Sequence, residues 1–128
     1  MAGTKVTADV ITDASITVGK VHDQFKTASA LGSSATVNVD WDTAQVFTLT
    51  PSQSTALNIT NPTVGLQKTA VITGSGNSYT ITLNVGGATG TFNKISGDYD
   101  DTAGIKNLYS ILCVGAAEFW YSISQIAT

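Results

Sequence analysis

The longest alternation of apolar and polar positions runs from Leu108 to Thr128. Leu108, Ser110, Leu112 and Val114 point one way, and Tyr109, Ile111 and Cys113 the other. After GAAE, Phe119, Tyr121 and Ile123 alternate with Trp120, Ser122 and Ser124. Period-two alternation over such runs predicts two strands closed by a tight loop. Leu112 is expected in the core. Upstream, strands are expected near 36–41, 45–50, 56–60, 67–73, 78–85 and 91–95, with the closing pair near 106–114 and 118–126. In the run 79–85, Tyr79, Ile81, Leu83 and Val85 form the inward set and Thr80, Thr82 and Asn84 the outward one. Trp41 is expected inward beside Val37 and Val39.

Turn signals separate these runs. In Asn61-Pro62-Thr63-Val64-Gly65 the proline presets φ and the glycine accepts a positive one. Gly74-Ser75-Gly76-Asn77, between AVIT and SYTIT, reads as a hairpin turn. Gly86-Gly87-Ala88-Thr89-Gly90 reads as a flexible connection. It lacks the strand-to-helix setting that a phosphate-binding glycine loop requires.

Residues 1–35 have a different texture, with spaced small apolar residues and no continuous alternating face. A short helix over Lys20–Leu31, stopped by Gly32, is the local expectation, and 6–11 and 15–21 read as short strands that pair with another chain. The fold class expected is therefore all-β: an antiparallel β-sandwich, jelly-roll-like, over 36–128, with an N-terminal extended arm over 1–35. The β-domain is expected to fold without the arm.

Composition sharpens the class. Threonine occurs twenty times and serine twelve, and threonine's branched Cβ favours strands over helix interiors. Charged residues make up only 12%, with six lysines, no arginine and a net charge of −3. Scattered lysines without arginine give no basic stripe for nucleic acid. No apolar run reaches the length of a membrane span, and MAGTKVTADV has no apolar segment of a secretory signal. The single Cys113 excludes an intrachain disulfide and reads as a small buried hydrophobe.

Candidate chemistry is sparse. Asp98, Asp100 and Asp101 place three carboxylates in one loop, enough oxygen ligands to consider Ca²⁺, but the spacing fails the EF-hand and a solvated Asx turn is the expectation. Asp40-Trp41-Asp42 puts two carboxylates on one face, without the opposed acid a glycosidase needs. His22 stands alone and has no local support for a triad or a zinc site. No catalytic residue and no cofactor is assigned. Trp120, Tyr121 and Tyr99 remain as aromatics that could stack on a sugar. Adjacent Trp120 and Tyr121 must point to opposite faces of their strand.

The stretches ASALGSSATVNVDWDTAQVFTLT, ALNITNPTVGLQKTAVITGSGNSYTITL and NLYSILCVGAAEFWYSISQ together resemble a β-rich module of tailed-phage virion appendage proteins. The features that match are the Asp-Trp near the first strand, the Asn-Pro-x-x-Gly turn, the glycine-rich turn and the closing Trp-Tyr hairpin, over roughly 30–128. The resemblance implies a non-enzymatic, often homotrimeric virion structural protein of the head fibre, tail fibre or capsid-decoration type. With little chain outside the module, a short head fibre, spike or decoration protein is expected. Its partners would be itself, capsid or tail proteins and host-surface glycans, with no membrane insertion. Attachment is expected through the arm, at Val10, Ile11, Ile16, Val21 and Phe25. A carbohydrate-binding β-sandwich, a receptor-binding tip, is the competing reading.

Overall fold

The structure, a computed structural model, describes residues 17–126. Val10, Ile11, Ile16 and the run 6–11 lie outside the described residues. The all-β expectation holds: among the described residues nine strands form two sheets, and the only helical elements are single 3-10 turns at Val18–Lys20 and Asp23–Phe25. The strands are Ala28–Ala30 (β1), Thr36–Asp40 (β2), Val46–Leu49 (β3), Thr55–Thr60 (β4), Gln67–Thr73 (β5), Ile81–Val85 (β6), Thr91–Ser96 (β7), Lys106–Gly115 (β8) and Glu118–Ile126 (β9). All eight strands read from the alternation are present. The helix expected over Lys20–Leu31 is replaced by the second 3-10 turn and β1. The β-branched Thr27 and the nearby Ser29 disfavour a helix interior, and β1 pairs with β3.

The pairing differs from an antiparallel jelly roll. One sheet has the order β1-β3-β5-β8-β9-β7 and the other β2-β4-β6. β1, β3 and β5 are parallel neighbours, as are β2, β4 and β6, so the chain alternates between sheets and rises one strand per circuit. This is a solenoid-like stack. Antiparallel pairing is confined to β5–β8 and β8–β9, and β7 joins β9 in parallel. Gly74–Asn77 is accordingly not a hairpin turn. It lies in the crossing from β5 in one sheet to β6 in the other. Alternation specifies which face is buried, but an alternating strand satisfies it equally with either kind of partner.

The core lies between the sheets. Val37, Leu57 and Leu83 share a register position, as do Val39, Ile59 and Val85. From the long sheet, Phe47, Leu49, Ala70, Ile72, Tyr109, Ile111, Cys113 and Phe119 complete it. Trp41 packs edge-on against Phe119, with ring centroids 5.7 Å apart. Leu112 is half-buried on the outer face of its strand while Ile111 is buried inside, which corrects the core expectation for Leu112. Both residues are apolar, so β8 alternates without a polar face to mark the outside.

The sheets are unequal, six strands against three. Beyond β6 no described strand covers the inner faces of β9 and β7. That mismatch creates the groove described next.

Candidate functional site: an aromatic groove beside an open strand edge

A groove of about 610 Å³ runs along β6, with Tyr79, Ile81 and Leu83 on one wall and β7 to β9 as its floor. The floor is aromatic because the inward positions of those strands are Phe92, Tyr109 and Tyr121. Tyr109 and Tyr121 lie nearly parallel, 4° between planes and 6.4 Å between centroids. Phe92 stacks on Phe119 at 4.9 Å and meets Tyr121 edge-on. Burial raises the Tyr109 hydroxyl pKa well above the usual phenol range.

One end of the groove is acidic and ordered by Asp101. Its carboxylate accepts from the backbone N–H of Ser75 (2.9 Å), Asn77 (3.1 Å) and Tyr79 (2.9 Å) and from the hydroxyls of Ser75 (2.8 Å) and Tyr99 (2.6 Å). Burial opposes its ionisation, but the Ser75, Tyr99 and Tyr79 donors outweigh burial and hold its pKa well below the usual carboxylate range. Burial, then the Asp101 acceptor, pushes the Tyr99 hydroxyl well up. The fully buried Asn107 fixes the same loop, donating to the Asp100 carbonyl (2.8 Å) and accepting from the Asp100 N–H (2.8 Å). Gly74 allows the approach, since a Cβ there would lie 2.2 Å from the Thr102 carbonyl oxygen.

The acidic residues do not converge. Asp101 faces these donors, Asp100 accepts from the Thr102 N–H at 2.8 Å, and Asp98 pairs with Lys94. Among the described residues no group of three His, Cys, Asp or Glu side chains is placed to hold a metal ion. Asp40 accepts from the Asp42 N–H (3.0 Å) and the Asn61 amide (2.9 Å), while Trp41 is buried between the two acids. His22 is exposed and accepts from the Gln24 N–H at 3.2 Å. Cys113 is buried, and burial raises its thiol pKa.

Of the three stacking candidates, Tyr99 and Tyr121 enter the groove and Trp120 does not. Trp120 lies on the outer face of the long sheet, 48% exposed, opposite Leu112 and Asn93. Of the anchoring candidates described, Val21 is half-buried and Phe25 is 45% exposed.

Sequence reasoning missed Lys68, which is 1% exposed. Its ammonium donates to the Gln24 carbonyl (2.6 Å) and Gln45 Oε1 (3.3 Å) and lies 5.2 Å from the Phe25 ring centroid. Burial lowers its pKa, partly offset by Asp42. The signal was present: in QKTAVIT, Lys68 shares the face of Ala70 and Ile72. The open edge of β6 had no sequence signal, because it depends on which strands become neighbours.

Comparison with protein-family models, curated proteins and solved structures finds no match. The class defined by fold and site is therefore an all-β, two-sheet stack with an aromatic groove.

Proposed function

We propose that this chain is a structural protein of a tailed-phage virion, a short homotrimeric head fibre or decoration protein held to the particle by its N-terminal arm. The observation that carries the self-association is the outer face of the long sheet. Val46, Val71, Leu108, Leu112 and Trp120 lie on it around the small Ser110, Ser122 and Thr69. Lys106 and Glu118 stand at its ends, and no described element covers it. A face that mixes these apolar side chains with small hydroxyl residues suits close packing against identical copies. The virion assignment rests on the strand-and-turn resemblance. Its attachment residues are the half-buried Val21 and the exposed Phe25, together with Ile11 and Ile16.

In the sugar-binding reading the aromatic faces are largely engaged. Tyr121 lies against Tyr109 and Phe92, and the Tyr99 hydroxyl is bound by Asp101. Of the three stacking candidates only Trp120 offers an exposed ring, and it lies on the face given to self-association, so it would serve host contact only where that face stays free.

Leu112→Asp tests the assembly. A carboxylate at the centre of a self-associating face is desolvated without a partner, at a cost of several kcal/mol. Light scattering should give three chain masses for the native protein and one for a folded Leu112→Asp variant. Ile111→Asp, four ångströms or so away along the strand but facing inward, should not fold at all. A native protein that stays monomeric at micromolar concentration ends the trimer reading. Added to particles that lack it, the native protein should co-sediment with them, and failure to do so ends the virion reading.

A further inference from the structure

We infer that the groove is a strand-docking slot and that its occupant is this chain's own residues 5–12. The proposal goes beyond the assembly reading, since it concerns the inner side of the long sheet.

The slot follows from the hydrogen-bonding directions of β6. Thr55 N–H donates to the Thr80 carbonyl and Gly86 N–H donates to the Ile59 carbonyl, so both Thr80 and Gly86 face β4. Alternate residues of a parallel strand face opposite neighbours. Ile81 and Leu83 therefore turn their N–H and C=O groups into the groove. Val85, next in that series, exchanges bonds with Ala88 at 2.9 Å in both directions. A row of backbone groups without partners among the described residues, above a largely aromatic floor, is what an added strand satisfies. A fourth strand about 4.8 Å beyond β6 would lie over Tyr109 and Tyr121, where the shorter sheet now stops.

The occupant is argued from sequence, charge and reach. KVTADVIT, residues 5–12, alternates Val6, Ala8 and Val10 with Lys5, Thr7 and Asp9. Running parallel to β6, it presents Val6, Ala8 and Val10 to the aromatic floor and Lys5 to the end that holds Asp98 and Asp101. β5 ends and β6 begins at the Gly74 turn, so the far end of β6 lies at the same end of the stack as Lys68. There Lys68 fixes Gln24 at 2.6 Å. Lys68, Ile111 and Tyr121 are successive partners across the sheet, two strand spacings or about 10 Å. The twelve steps from Thr12 to Gln24 can span roughly 40 Å, so the segment reaches its own groove and finishes where the chain resumes. Ile11, Ile16, Val21 and Phe25 are left for attachment.

The test uses the full chain with Cys113→Ala, Thr7→Cys and Thr82→Cys. Thr82 faces outward on β6, so the core is undisturbed. Mild oxidation should give an intrachain disulfide, seen by mass under denaturing, non-reducing conditions. Thr7→Cys with Thr36→Cys, at the far strand of the same sheet, should give little. A disulfide between chains would assign the slot to a second copy and overturn the own-chain occupant. Equal yields at Thr36, or none at Thr82, would overturn the slot itself. Independently, the Ile81 and Leu83 amides should exchange slowly in the native protein and about 100-fold faster in Val6→Asp/Val10→Asp, with the Ile72 amide unchanged. Fast exchange of Ile81 and Leu83 in the native protein, slowed only by an added oligosaccharide or foreign peptide, gives the groove to an outside ligand and refutes the proposal.

Discussion

Asp101 shows how one side chain can organise a loop region. Five donors converge on it, three of them backbone N–H groups of the 75–79 crossing that would otherwise need other partners. Asp101→Asn offers one acceptor oxygen and turns an NH₂ toward the remaining donors. A loss of about 2–4 kcal/mol at neutral pH is expected from urea unfolding, given roughly 1.5–3 kcal/mol for a charge-assisted bond and some rearrangement. The pH dependence has a definite sign. The folded pKa lies below the ordinary carboxylate value of about 3.9, so the stabilisation is complete above that value and fades as pH falls below it toward the depressed one. Native protein should therefore lose stability more steeply below about pH 4 than Asp101→Asn does. Parallel acid limbs in the two proteins would show that the Asp101 contacts do not govern that loss. Lys68 is the opposite case, a buried charge whose role is to hold the incoming chain at Gln24 and Phe25.

Among the strands, the β2-β4-β6 sheet carries a column of asparagines. Asn38, Asn58 and Asn84 share one register position on the outward face. Asn58 donates to Asn38 Oδ1 at 2.9 Å and accepts from the Gly87 N–H at 2.7 Å, and it is 8% exposed. Column and loop thus fix the parallel register, since a one-residue slip would bring valine or isoleucine opposite an amide. Asn58→Ala leaves the Gly87 N–H unpaired and should cost about 1–3 kcal/mol. A change below about 0.5 kcal/mol in chemical denaturation would show that water replaces the amide freely. This column also marks what the sequence could disclose. The asparagines sit at the outward phase that alternation assigns, and Trp41, Cys113 and Phe119 sit at the inward phase. Which strand lies beside which was not encoded locally. Asn38 and Asn58 stand twenty positions apart in the chain, and their pairing depends on the chain crossing between sheets rather than folding back. Leu112 shows the same limit from the other side: where both phases are apolar, pattern alone does not name the buried one. The groove was illegible for that reason. Its aromatics were visible as strand residues, but their convergence follows from six strands facing three.

At the scale of the molecule, the long sheet takes in residues that precede position 35. β1 pairs with β3 through Ala28, Ser29 and Ala30, and Leu31 N–H donates to the Thr48 carbonyl at 2.8 Å. Ser33 Oγ accepts from the Ser52 N–H at 2.9 Å. A chain beginning at Ser33 would lose β1, expose the edge of β3, and remove the Gln24 carbonyl from Lys68, leaving Gln45 as its remaining acceptor. A buried ammonium deprived of a partner and an uncovered strand edge act in the same direction, toward instability and edge-to-edge association. A chain beginning at Thr17 keeps every one of these contacts. The Ser33 start should therefore unfold at least about 3 kcal/mol more easily than full length and precipitate at lower concentration, while the Thr17 start should lose less. Lys68→Met separates the two causes. It removes the ammonium at similar volume, so in the Ser33 background it should recover part of the lost stability, and in the full chain it should free residues 22–26 without unfolding the sheets. If the Ser33 start melts with the full chain, β1 and the Lys68 contact contribute nothing measurable, and the β-domain boundary belongs at Thr36 after all.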